Sequence, residues 1–201
     1  YNGGVFRSGD DAKAWQPSNG GLPPAADVRA LVRTGSGIFA GIAGAGVYFS
    51  ADQGQNWTVR INGLTNQQVN ALATDGTTLW AGTEDGVFRS NDSGQTWAKL
   101  NDGLTRLRVL SLSASGPGVF AGTDNGLFRF NSQSSNWSIA TSGLTDLYVL
   151  SLGVAPNGAT LLAGTAGAYL NNGPSASVSA LGDAVTADCA NSRAAKFNPA
   201  G

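Results

Sequence analysis

A tandem repeat with a period of about 40 residues constrains this chain more than any other feature. Each copy closes on a tryptophan, at Trp15, Trp57, Trp97 and Trp137, with spacings of 42, 40 and 40 residues. The clearest copy reads Gly86-Val-Phe-Arg-Ser90-Asn-Asp92-Ser-Gly94-Gln-Thr96-Trp97. A second reads Gly46-Val-Tyr-Phe-Ser50-Ala-Asp52-Gln-Gly54-Gln-Asn56-Trp57, and a third runs from Gly4 through Ser8 and Asp10 to Trp15. Repeats of this length, rich in glycine and β-formers, build radial or stacked sheet architectures rather than helical ones.

Within one unit the pattern resolves into four short strands. Residues 69–73 are an apolar run closed by the Asp75-Gly76 turn. Residues 79–83 are a second run, and Glu84-Asp85-Gly86 turns the chain. Residues 86–90 alternate as a third strand, and residues 96–100 follow the Ser-x-Asp turn as a fourth. Strands this short, each bounded by Gly or Asp, predict an up-and-down four-stranded blade, here lettered A to D from the axis outward. Strand A recurs at residues 28–31, 109–112 and 149–152, and strand B carries Ala-Gly at 40–41, 81–82, 121–122 and 163–164. That small pair is expected to let neighbouring sheets approach closely. A Gly-Leu linker recurs at Gly21, Gly63, Gly103 and Gly143.

The fold class predicted is therefore all-β, a propeller of four-stranded antiparallel blades. Residues 1–171 hold the blades: a partial one at 4–18, complete ones at 28–61, 69–101 and 109–140, and an incomplete one at 149–171. Residues 172–201 break the pattern and are expected to form a C-terminal strand or an extended arm. A strand C falls at both ends, so simple strand exchange does not close the ring. A portion of a larger propeller, or an arc completed by another chain, is expected over a small ring closed by residues 175–181. An open arc would leave apolar blade faces bare and favour association.

Bulk composition narrows the function. With 12% charged residues and a net charge of −1, the chain offers no basic face for a phosphate backbone, so nucleic acid is not an expected partner. No run of 18 apolar residues predicts a membrane-spanning helix. The absence of His removes the usual general base, metal ligand and pH switch. No metal site or cofactor is expected. The single cysteine, Cys189, cannot form an internal disulfide; it is read as a free thiol, with a bridge to a partner chain as the alternative. The chain has no Met and starts inside a repeat, which predicts either a removed leader or a longer parent chain.

The Ser-x-Asp-x-Gly-x-Thr-Trp turn resembles the Asp-box, or bacterial neuraminidase repeat. Ser90, Asp92, Gly94, Thr96 and Trp97 match at every position. Ser50, Asp52, Gly54 and Trp57 match with Asn56 in place of Thr, Ser8, Asp10 and Trp15 match in part, and the fourth copy keeps little beyond Trp137. The resemblance covers most of residues 1–171. It implies a scaffold shared by sialidases, xyloglucanase-type glycosidases, photosystem II assembly propellers and secreted bacterial repeat proteins, the last being the most similar. The physical reading agrees. The Asp carboxylate can accept backbone N–H bonds inside the turn, Gly permits positive φ, and the Trp ring buries beneath the turn. Asp52 and Asp92 are accordingly read as structural, not catalytic.

Alternation of strand direction sorts the loops onto two faces. B–C turns and D–A linkers share the expected ligand face, which offers Glu84, Asp85, Asp124 and Asn125 from the turns. The linkers add Asp27, Gln67, Gln68, Arg106, Arg108, Asp146 and Tyr148. Glycoside cleavage needs two carboxyl groups roughly 5–10 Å apart. Glu84 is the only Glu, and the acidic candidates sit in short turns where solvated side chains are the ordinary outcome. Arg7, Arg89 and Arg129 recur in strand C at blade spacing and do not converge as a sialidase triad would; they are read as cover over strand neighbours. Trp80 takes the strand B position of Phe39 and Phe120 and is expected in the core. No catalytic residue is assigned. The expectation is a non-catalytic secreted, periplasmic or extracellular bacterial propeller serving as a protein-interaction or assembly scaffold, with a protein partner or self-association. A carbohydrate-binding or glycoside-hydrolysing propeller whose decisive loops lie elsewhere is the alternative.

Overall fold

The structure is a computed structural model that describes residues 3–114, 118–154 and 161–165. The terminal strand or arm read at 172–201, and the strand C read at 167–171, lie outside the described residues. Among those described, every element is a β-strand. Three four-stranded antiparallel sheets follow one another along the chain. The first joins β3 (Val28–Arg33), β4 (Ile38–Ile42), β5 (Gly46–Ser50) and β6 (Thr58–Val59). The second joins β7 (Val69–Thr74), β8 (Leu79–Thr83), β9 (Gly86–Ser90) and β10 (Ala98–Lys99). The third joins β11 (Val109–Ser113), β12 (Phe120–Thr123), β13 (Gly126–Asn131) and β14 (Asn136–Ile139). Two half-sheets flank them: β1 (Phe6–Arg7) with β2 (Gln16–Pro17), and β15 (Val149–Val154) with β16 (Leu161–Thr165).

Successive A strands touch one another, β3 to β7 to β11 to β15, so the A edges form the inner rim of an arc. Each A–B pairing contains a bulge at the second residue of strand A. The register steps from Val69↔Thr83 to Ala71↔Gly82, leaving Asn70 extra, and the same step leaves Arg29, Leu110 and Leu150 extra in the other blades. A bulge redirects the side chain of the extra residue, and here it points Arg29 and Asn70 toward the next blade.

The core lies between sheets. Phe39 and Val47 of one blade enclose Val69, Leu79, Ala81, Phe88 and Trp97 of the next. Trp80 and Val87 then meet Val109, Leu112, Ala121, Phe128 and Trp137. The strand B glycines make this approach close: a side chain at Gly82 would sit 2.5 Å from Val109 Cγ1, and one at Gly41 would sit 2.7 Å from Val69 Cγ1. Trp80 is buried against Phe130 and Trp137, with ring centroids 5.1 and 6.4 Å away. Its indole Nε1 has no hydrogen-bond partner among the described residues.

The signature tryptophans work differently from the local packing expected of them. Each reaches back to the preceding blade. Trp57 Nε1 donates to the Ser18 carbonyl at 2.9 Å, Trp97 Nε1 to Arg60 at 3.0 Å, and Trp137 Nε1 to Leu100 at 2.8 Å. Their backbone N–H groups donate to Gly20, Asn62 and Asp102 in the same linkers. Gly21, Gly63 and Gly103 lie flat against the Trp57, Trp97 and Trp137 carbonyls, where any Cβ would collide. Trp15 departs from the set. It is 58% exposed, against 4%, 5% and 3% for Trp57, Trp97 and Trp137. The expected burial of Trp15 is corrected for a simple reason: no described blade precedes it.

Candidate functional site

The Ser-x-Asp turns are self-contained networks. Ser90 Oγ donates to Asp92 Oδ1 at 2.7 Å, and Gly94 N donates to Ser90 Oγ at 2.9 Å. Thr96 N donates to Asp92 Oδ1 at 2.9 Å, and the Thr96 hydroxyl donates to Oδ2. Asp52 repeats this with Ser50 at 2.8 Å and with the Asn56 backbone and side-chain amides at 2.9 and 2.8 Å. The bonds to Asn56 and Ser50 lower the Asp52 pKa to about 2. Those to Thr96 and Ser90 do the same for Asp92, also to about 2. Two consecutive residues in each turn have positive φ: Gln53 and Gly54 at 60° and 87°, Ser93 and Gly94 at 56° and 75°. The first copy holds the same shape without glycine, with Asp11 at 55° and Ala12 at 64°. Ser8 Oγ donates there to Asp10 Oδ1 at 2.7 Å, and Ala14 N donates to the same oxygen at 3.0 Å. In the fourth copy Asn131 Oδ1 substitutes, accepting from Gln133 N at 2.9 Å. These carboxylates accept from backbone N–H groups, hydroxyls and, at Asp52, a side-chain amide of their own turn.

On the other face the linkers and B–C turns interlock. Gly46 N donates to Gln67 O, Gly86 N to Leu107 O and Gly126 N to Leu147 O. Glu84 N and Asp124 N donate to Gln68 O and Arg108 O. Across this face runs a line of side chains that crosses four blades. Asp27 accepts from Arg29 Nε at 2.9 Å. Arg29 Nη1 donates to Asn70 Oδ1 at 2.6 Å. Asn70 Nδ2 donates to Glu84 Oε1 at 2.9 Å and to the Val109 carbonyl at 3.0 Å. Glu84 Oε2 pairs with Arg108 Nε at 3.0 Å, and Arg108 Nη1 donates to Tyr148 Oη at 3.1 Å. Burial pulls the Arg108 pKa down, but the charges of Glu84, Tyr148 and Asp124 outweigh it, and the guanidinium ends above its ordinary value.

The structure thus joins Glu84, Arg108 and Tyr148 into one chain. Asp146 holds its end by accepting from Tyr148 N at 2.8 Å. Asp85 stands beside the line, paired with Lys99 at 2.6 Å. Asn125 forms a separate pair: its side-chain oxygen accepts from Arg106 Nη2 and Nε at 2.9 and 3.0 Å. Asp124 contributes its charge toward Arg108 and its N–H to the Arg108 carbonyl. Arg29 and Asn70 were not among the candidates read from the sequence. The signal for them was the polar residue at the second place of an otherwise apolar strand A. Leu107 and Leu147, the residues before Arg108 and Tyr148 in sequence, are exposed. Arg89 and Arg129 lie over Trp80 and Phe120 at 5.9 and 5.8 Å from the ring centroids. Among the described residues no group of three His, Cys, Asp or Glu side chains could hold a metal ion, and no helix is long and apolar enough to cross a membrane.

Solved structures with this arrangement are numerous. The extracellular domain of a hybrid two-component system of B. thetaiotaomicron superposes with a TM-score of 0.65 at 19% identity, over 82% of this chain and 24% of that one. YCF48 bound to D1 peptide superposes with a TM-score of 0.63 at 16% identity, over 83% of this chain and 55% of that one. The fold is a β-propeller. An ancestral GH74 enzyme shares it at TM-score 0.61 and 18% identity, over 80% of this chain and 24% of that one. The chain therefore spans from about a fifth to about half of the length of such propeller-containing structures. No family model and no curated protein matches the sequence.

Proposed function

We propose that this propeller is a non-catalytic, secreted or cell-envelope protein of the Asp-box type that docks an extended protein segment on its linker face. The observation that carries this reading is the hydrogen-bonded line from Asp27 to Tyr148, with exposed leucines at the neighbouring sequence positions 107 and 147. Paired polar groups together with exposed leucines have the make-up of a protein-docking surface. Glu84 has donors on both carboxylate oxygens, so it is poorly placed to move a proton for glycoside cleavage. The resemblance to a structure described as peptide-bound supports the reading, as does the resemblance to extracellular domains.

The carbohydrate alternative draws on the resemblance to a GH74 enzyme. A sugar platform would need exposed aromatic faces beside paired carboxylates, and Tyr148 is the aromatic residue on this line. Selection of a displayed random-peptide library against the parent and against Arg108→Glu decides between them. The docking reading predicts peptides enriched by the parent and lost with Arg108→Glu, while the thermal melt is unchanged. Enrichment that survives the substitution, or a screen in which only oligosaccharides bind, contradicts it.

A further inference from the structure

One guanidinium on the linker face sits where sister linkers place a side chain that serves the fold. We propose that this group, Arg106 presented by Asn125, is the carboxylate-binding fork of the docking face, and that the segment docked there carries an Asp or Glu side chain. This rests on the docking reading above and adds the chemistry of the partner.

The first observation comes from comparing linkers within the chain. The frame Gly-Leu-Thr-x-x-x-Val recurs at 63–69, 103–109 and 143–149. Each copy is tied down through its main chain. Leu64 N donates to Ile61 O, Leu104 N to Asn101 O and Leu144 N to Thr141 O, and the carbonyls of Gln67, Leu107 and Leu147 accept from Gly46, Gly86 and Gly126. In two copies the first variable residue adds a further bond. Asn66 Oδ1 accepts from Gln68 N at 3.0 Å, and Asp146 Oδ1 accepts from Tyr148 N at 2.8 Å. Such a bond from a side chain to the backbone two residues on stabilises a turn. Arg106 stands at the same place and has no acceptor atom with which to make it. Departure from a local rule that sister copies obey is expected where a side chain serves binding rather than folding.

The second observation is where Arg106 goes instead. Its Nη2 and Nε both donate to the Asn125 side-chain oxygen, at 2.9 and 3.0 Å. That fixes one edge of the guanidinium. The Nη1–Nη2 edge has no partner among the described residues, and its two parallel N–H groups match the two oxygens of a carboxylate.

The third observation is the neutrality of the holder. Asn125 lies in the same turn as Asp85 of the preceding blade: Asn125 N donates to Thr123 Oγ1 at 3.1 Å, and Asp85 N to Thr83 Oγ1 at 3.0 Å. Asp85 is an acid paired with Lys99 at 2.6 Å, so the turn accommodates a carboxylate. At 125 an amide takes its place, which orients Arg106 without neutralising it. Arg29 and Arg108 on the same face each meet an acid, Asp27 at 2.9 Å and Glu84 at 3.0 Å. Arg106 is exposed, and its charge is left for a partner. An exposed arginine attracts any anion weakly, but a fork already held in place selects a planar carboxylate.

The test uses the full 201-residue chain and the peptides that the parent enriches from the displayed library. Those peptides are expected to share an Asp or Glu at one position. One of them is synthesised with that acid and with the matching amide, and Kd is measured by fluorescence polarisation. The amide peptide against the parent, and the acid peptide against Arg106→Asn, are each expected to bind at least about tenfold more weakly, and the two changes together to lose no more than either alone. Asn125→Asp, which keeps the shape of the holder but sets a carboxylate against Arg106, is expected to weaken the acid peptide as well. Arg106→Asn is expected to melt at or above the temperature of the parent, because Asn can make the bond that Asn66 makes. Four results overturn the proposal and leave the docking reading standing: enriched peptides with no shared acid, two losses that simply add, an Asn125→Asp variant that binds like the parent, or an Arg106→Asn variant that melts well below it. A parent that enriches no peptide overturns both.

Discussion

Each Ser-x-Asp turn sets a carboxylate against donors of its own making, and pH makes that arrangement measurable. Asp52 and Asp92 are held at a pKa of about 2, below the ordinary 3.8. A depressed folded-state pKa stabilises the fold above the unfolded value, and that contribution is lost as pH falls from about 4 through about 2. Acid denaturation followed by circular dichroism should therefore be shallower for Asp92→Asn than for the parent in this window. Equal slopes would remove the hydrogen bonds as a stabilising feature. These residues were legible in the sequence because their spacing is set by the turn itself. The line from Asp27 to Tyr148 was only half legible. Glu84, Arg108 and Tyr148 could be assigned to a face, but Arg29 and Asn70 could not be read as their connectors. A bulge in each A strand aims them sideways, and its one mark in the sequence is a polar second residue in an otherwise apolar run of four.

Between elements, the Gly-Leu linker shows how one residue type serves two purposes. Gly103 and Gly143 share positive φ, at 79° and 89°, but only Gly103 backs onto a Trp carbonyl. Among the described residues a side chain at Gly143 meets no atom, leaving the backbone penalty, about 1–2 kcal/mol for the left-handed region. A side chain at Gly103 meets that penalty and a collision with backbone, so its cost should exceed Gly143→Ala by at least about 1 kcal/mol. Urea titrations of Gly103→Ala and Gly143→Ala compare them directly, and equal losses would contradict the close approach. From sequence the linker glycines read as punctuation, because their partner lies more than 30 residues downstream. The Ala-Gly pair of strand B was easier: a recurring small residue in a strand already implies a neighbour at short range, and Val69 and Val109 fill that place.

Across the whole molecule, the repeat dictates sheets that bury their faces only against the next copy, so stability is shared along the arc rather than held in one central core. Periodicity made the four-stranded blade legible before any coordinate. It did not show that the signature indole crosses to the preceding blade, since one unit read alone suggests packing under its own turn. It also left the ends ambiguous. That Trp15 stays exposed while the other three staple blades emerges only when each indole is traced to its carbonyl. The central claim is that these cross-blade indoles hold the propeller together. It is tested most directly by equilibrium urea unfolding of Trp97→Ala. The account predicts a loss of about 3–5 kcal/mol, the range for removing a buried aromatic ring. A variant whose midpoint and slope match the parent would contradict it.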